Sequence, residues 1–137
     1  MEIDFLRNKF TINEAVQLNP LVLAFVGDAI YEVFVRRYLV EQNHDMSAHK
    51  LHVKAVSYVK AHSQSEIMKQ IKEALTEEEE RIFKRGRNAK SGTVPKNADV
   101  REYRMATGFE ALMGFLYLTN QLDRLNELMN MSIKIHG

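Results

Sequence analysis

The chain has 137 residues, 45% of them hydrophobic and 27% charged, which suits one globular domain with its own core over residues 1–137 and leaves no room for a second. Nineteen lysines and arginines against eighteen acids leave a net charge of +1, so no overall basic field argues for nucleic acid and local clustering must supply that argument. Cysteine is absent, which excludes disulfides, thiolate zinc sites and a cysteine nucleophile.

The opening Met1-Glu2-Ile3-Asp4-Phe5-Leu6 carries acids where a signal peptide needs bases, and Gly27-Asp28 interrupts the longest apolar run well short of a membrane span. The expected setting is therefore the cytoplasm, with no membrane partner. Two prolines, six glycines and apolar positions recurring at helical spacing predict an all-α fold.

In chain order, Thr11-Ile12-Asn13-Glu14 has capping-box spacing and opens a short first helix. Asn19-Pro20 starts the second, with asparagine as N-cap and proline at the first helical position, running to about Val40 and apolar almost all round in its first half, hence central. Ser47 can cap a third helix through about His62, and Ser63 or Ser65 a fourth through Leu75. Thr76-Glu77-Glu78-Glu79 repeats the capping box, and its helix places glutamates at the positive end and Lys84 and Arg85 at the negative end, stopping near Gly86. Arg87 to Asn97, with Gly92 and Pro95, reads as an exposed loop, followed by a long helix from about Asp99 to Thr119 and a last one from about Gln121 to Ile133.

Two carboxylates stand out against this frame. Asp28 lies in Leu21-Val22-Leu23-Ala24-Phe25-Val26-Gly27-Asp28-Ala29-Ile30-Tyr31-Glu32, and Glu110 lies among Ala106, Phe109, Met113, Leu116 and Tyr117. A buried ionised carboxylate costs several kcal/mol unless it is paired, hydrogen-bonded or metal-bound. Two of them on helices that pack together suggest a cation between them. On pattern alone, a structural ion pair with an arginine or lysine, or a helix-edge residue reaching water, is as good a reading.

The residue patterns add to this. Phe25-Val26-Gly27-Asp28-Ala29-Ile30-Tyr31-Glu32 resembles the signature helix of the ribonuclease III catalytic domain, and Phe109-Glu110-Ala111-Leu112-Met113-Gly114-Phe115-Leu116-Tyr117-Leu118 resembles that domain's second acidic helix. The likeness runs from Asn19 to Leu118 and is greatest to the short Mini-ribonuclease III branch, which lacks a double-stranded-RNA-binding domain. It implies a ribonuclease III endonuclease-like helical fold, a homodimer, and magnesium-dependent cleavage of both strands of double-stranded RNA, with manganese as a substitute ion. Asp28 and Glu110 fall on the family's catalytic, metal-binding positions, and Phe25 on an aromatic position that enters a socket on the partner subunit; an ordinary core phenylalanine is the competing reading. The resemblance further implies precursor large-subunit (23S) ribosomal RNA as substrate and a ribosomal protein as an additional partner. Where longer family members carry two further acids, this chain has Ala24 and Thr107, which predicts looser metal binding with waters in the vacated positions.

From Arg81 to Arg104 eight bases face two acids, a local charge of +6 in a nearly neutral chain. Arg85, Arg87, Asn88, Lys90, Ser91, Thr93, Lys96 and Asn97 offer donors for phosphate and 2′-hydroxyl groups, by which duplex RNA is chiefly held. The plain alternative is a solvated charged face. His44-Asp45, with His49 and His52 a turn apart, raises a histidine-bound phosphohydrolase site, but the dipeptide lies in a polar connector with no second acidic motif, and His62 and His136 look incidental. The rival functional class is a non-catalytic helical RNA-binding or ribosome assembly factor of the same fold.

Overall fold

The computed structural model describes residues 2–7, 9–90 and 94–136, and among them the secondary structure is helical throughout. Seven α-helices follow in order: α1 (Ile12–Val16), α2 (Pro20–Gln42), α3 (Ala48–Val59), α4 (Ala61–Ile71), α5 (Glu77–Asn88), α6 (Val100–Leu118) and α7 (Leu122–His136), with a short 3-10 turn at Lys72–Ala74. No helix among the described residues is long and apolar enough to cross a membrane.

The predicted start signals operate as local chemistry. The Thr11 and Thr76 side chains accept from the backbone N–H of Glu14 and Glu79, whose carboxylates accept in return from the N–H of the capping threonines. Asn19 accepts from Leu21 N–H at 2.8 Å ahead of Pro20, and Asp99 accepts from Arg101 and Glu102. Two boundaries depart from expectation. The α3–α4 break falls at Lys60, so Ser63 and Ser65 are buried inside α4 and do not cap it. Gly86 does not end α5, which continues to Asn88; it is a contact point, since a methyl group there would sit 2.7 Å from the Ala111 Cβ.

The central element is α6, rather than α2 as the sequence predicts. It packs against α2, α4, α5 and α7 and is buried on nearly every side from Ala106 to Leu116. Its contact with α2 is made backbone to backbone. A Cβ on Gly27 would lie 1.7 Å from the Glu110 carbonyl oxygen, and one on Gly114 would lie 1.9 Å from the Leu23 carbonyl oxygen. Since Leu23 meets Gly114 and Gly27 meets Glu110, the two helices cross antiparallel over one turn. Tyr31 and Phe109 pack edge to face at 5.0 Å beside this crossing.

The other half of α2 is unlike its buried stripe. Phe25 is 79% exposed and Val33 60%, with Val22 and Val40 also open, so Phe25 is not a core residue and the competing reading of it is set aside. These positions recur at helical spacing and form an apolar stripe along the outer face of α2.

Candidate active site

The Gly27–Glu110 approach puts the next residue on α2, Asp28, beside the Glu110 side chain, and the two carboxyl groups lie within hydrogen-bonding reach of one another. Asp28 is exposed and Glu110 mostly buried. Burial first, and then the hydrogen bond and charge of Asp28, push the Glu110 carboxyl up to about 8, partly offset by the Gln64 amide. Glu110 thus favours its protonated form until a cation takes the proton's place.

The treatment of Glu79 shows what is missing at Glu110. Glu79 is only 3% exposed, yet the Arg124 guanidinium reaches its two oxygens at 2.9 and 2.8 Å, the capping bonds of Thr76 add to this, and its carboxyl is held below the ordinary range despite burial. Arg124 also donates to the Ala74 carbonyl and contacts Glu127. Among the described residues no lysine or arginine pairs with Asp28 or Glu110. The structural ion pair that sequence pattern allowed for Glu110 exists instead at Glu79, which the sequence shows only as a capping residue.

A divalent cation fits the Asp28–Glu110 position. Its donors are hard oxygens, as magnesium and manganese prefer, and neutralisation by a cation removes the cost of ionising Glu110 in place. A further oxygen is near. Gln64 on α4, 1% exposed, donates from Nε2 to the Val59 carbonyl at 2.9 Å, while its Oε1 is buried without a hydrogen-bond partner among the described residues. Such an unsatisfied acceptor costs about 1–3 kcal/mol. Sequence reading misses Gln64 because Ser63 or Ser65 is expected to cap the fourth helix, which puts Gln64 at an exposed helix start. The positions of the two lost acids offer no comparable group: Ala24 has no donor atom, and the Thr107 hydroxyl donates to the Tyr103 carbonyl at 2.9 Å within its own helix.

One turn and more toward the start of α6, the surface is basic. A groove of about 700 Å3 is lined by Lys69 of α4 (itself paired with Glu66), Arg87 and Asn88 of α5, and Arg101 and Arg104 of α6, together with His62, Asp99 and Glu102. A smaller hollow of about 340 Å3 is lined by Lys90, Val94, Arg104 and Thr107 among others. Neither is lined by Asp28 or Glu110. Arg87 stacks on Phe83 at 5.5 Å and donates to Asn88, and Lys96 and Asn97 are exposed, Asn97 in the left-handed region at φ 71°. Ser91 and Thr93 lie outside the described residues.

Arg85 departs from the expected set. Its guanidinium donates to the Val16 and Leu18 carbonyls at 2.7 and 3.2 Å, tying the end of α5 to the α1–α2 connection, which is an anchoring role. Lys69, Arg101 and Arg104 join the basic surface instead. His62 is not incidental either, since it contacts Glu102 and forms with Glu66 and Glu102 a rim cluster whose ligand atoms lie within 4.8 Å of one another. His136 stacks on Tyr58 at 3.9 Å. His44, His49 and His52 are exposed and form no cluster of metal-ligating side chains among the described residues, which leaves the phosphohydrolase reading without a site there.

The raised Glu110 carboxyl has a thermodynamic consequence. Its folded value, about 8, exceeds the ordinary 4.5, so between these pH values the folded chain binds more protons than the unfolded one and stability falls as pH rises, by up to about 1.4 kcal/mol per pH unit. Urea denaturation of chelator-treated protein from pH 5 to 8 is expected to show this decline, and Glu110→Gln to flatten it. A wild-type slope equal to that of the variant would contradict the assignment.

Comparison with known proteins agrees with this architecture. Residues 21–121 match the ribonuclease III domain family. The chain is 49% identical over 132 residues to a Mini-ribonuclease 3 from Clostridium tetani, covering 96% of this chain and 87% of that protein. It is 56% identical over 123 residues to a Mini-ribonuclease 3 from Enterococcus faecalis, covering 88% and 92% respectively. A crystal structure of a protein from Fusobacterium nucleatum superposes with a TM-score of 0.78 at 36% identity, covering 86% of this chain and 93% of that one. With the helical order, the paired carboxylates and these matches together, the chain belongs to the ribonuclease III family of endoribonucleases, in its Mini-ribonuclease 3 branch.

Proposed function

We propose that the chain is a divalent-metal-dependent, homodimeric endoribonuclease acting on double-stranded RNA, with Asp28 and Glu110 as its catalytic and metal-holding carboxylates. The observation that carries this reading is a mostly buried glutamate with no basic partner among the described residues, set beside a second carboxylate. Magnesium, or manganese in its place, would supply an electrophile for a phosphate oxygen and acidify a water. Glu110, fixed by burial, would hold the ion as a carboxylate, with its proton released to solvent, and Asp28, at the surface, would hold it from the side of the incoming phosphodiester. Water oxygen bonds to phosphorus as the P–O3′ bond breaks, the leaving oxygen takes a proton, and no side-chain nucleophile takes part.

The basic groove supports the substrate class. A duplex longer than one groove needs phosphate contacts from a rigid surface, and Arg87, Asn88, Lys90, Lys96 and Asn97, with Lys69, Arg101 and Arg104, stand near the start of the Glu110 helix. The exposed stripe Val22-Phe25-Val33-Val40 supports a twofold dimer through α2, which would give one cut on each strand of the duplex. Paired ends of precursor large-subunit ribosomal RNA in the cytoplasm, with a ribosomal protein assisting, are the proposed physiological setting, supported by the family branch alone.

Purified protein incubated with duplex RNA is expected to cut it with magnesium and not with chelator, and Asp28→Asn or Glu110→Gln to lower the rate by at least about 100-fold; RNA that is shifted in a gel yet stays intact would establish the binding-factor reading instead. Replacing Arg87, Lys90 and Lys96 together with alanine is expected to weaken duplex binding and to reduce the slope of log affinity against log salt by about 2–3, and affinity unchanged at low and moderate salt would remove these three residues from substrate binding. In sedimentation, the wild type is expected at the mass of a dimer and Phe25→Asp at that of a monomer; a monomeric wild type would refute the α2 interface.

A further inference from the structure

We propose that Gln64 is a positioning residue of the carboxylate site, its buried amide holding the Glu110 carboxylate toward Asp28 and its Oε1 offering a third, uncharged oxygen to the cation held there. This rests on the metal-dependent reading given above and adds to it a residue from a third helix.

The geometry is specific. Gln64 is 1% exposed on α4, which packs on α6, and its amide is near enough to Glu110 to draw that carboxyl's pKa down against the effect of burial. One Nε2 hydrogen goes to the Val59 carbonyl at the end of α3, which leaves the second free. Oε1 accepts nothing among the described residues. Buried amides are seldom left this way, and a hydrated cation beside Glu110 is the kind of partner that would satisfy it. The site is otherwise poor in oxygens, because Ala24 has none to give and Thr107 is bonded back to its own helix. An amide oxygen is a hard, neutral donor, suited to a magnesium-type ion without adding to the repulsion already present between Asp28 and Glu110.

A merely structural role is the competing account: Gln64 would do no more than satisfy the Val59 carbonyl across the α3–α4 break. Two substitutions separate them. Gln64→Met keeps the side-chain length and loses both amide atoms; Gln64→Glu keeps an oxygen at Oε1 and loses the Nε2 donor to Val59 and toward Glu110 alike.

The decisive measurement is manganese binding to the full chain without RNA, followed by electron paramagnetic resonance, with single-turnover cleavage of duplex RNA across a magnesium titration beside it. The proposal expects Gln64→Met to weaken manganese binding about 10-fold or more, to raise the magnesium needed for half-maximal rate by a similar factor, and to leave duplex affinity in chelator within twofold. It expects Gln64→Glu to bind manganese at least as well as wild type. Manganese affinity within twofold of wild type for a folded Gln64→Met, or an equal loss in both variants, would overturn it. Failure of the underlying reading has a different signature, in which wild type and Glu110→Gln bind manganese equally and neither cuts RNA.

Discussion

The structure depends on one close approach. Where α2 and α6 cross, Gly27 and Gly114 each stand so near the opposing backbone that a single added carbon would overlap a carbonyl oxygen, at 1.7 and 1.9 Å. Glycine allows that separation and no other residue does. The crossing fixes not only how the core packs but which residues become neighbours, because Asp28 follows Gly27 directly and Glu110 is the residue whose carbonyl Gly27 meets. Two carboxylates far apart in sequence are thereby joined by the same contact that builds the core.

The chain treats its two buried glutamates in opposite ways. Glu79 receives a guanidinium and a capping hydroxyl, and it is ionised as a structural tie between α5 and α7. Glu110 receives another acid and an amide. Stability alone would favour the first arrangement at both places, since an unpaired buried carboxyl is a cost that folding must carry. Keeping a site in the second state makes sense where a ligand supplies the missing positive charge, and the family to which the chain belongs acts on a polyanion whose cleavage such a charge assists.

The surfaces around this site divide the remaining work by chemistry. Positive charge is concentrated where α4, α5 and the start of α6 form a groove, while the outer face of α2 carries an apolar stripe left exposed among the described residues. A near-neutral protein can in this way carry a basic groove and an apolar stripe without a basic field over the whole molecule.

Much of this was legible in the sequence. Capping boxes at Thr11 and Thr76, the Asn19-Pro20 start and the Asp99 cap act through bonds to residues two or three positions away, so their outcome is settled locally, and helix order followed from them. Asp28 and Glu110 were visible because each interrupts an apolar run. What tertiary structure alone decided were features that depend on what a face meets across the fold. Gly86 reads as a stop and serves as a contact with α6. Arg85 reads as a free cation and anchors the α1–α2 connection. Gln64 reads as lying at the capped start of a helix and is buried within α4. Periodicity reports whether a residue is apolar, not whether a polar one has found a partner, and that second property is set only when helices distant in the chain come into register.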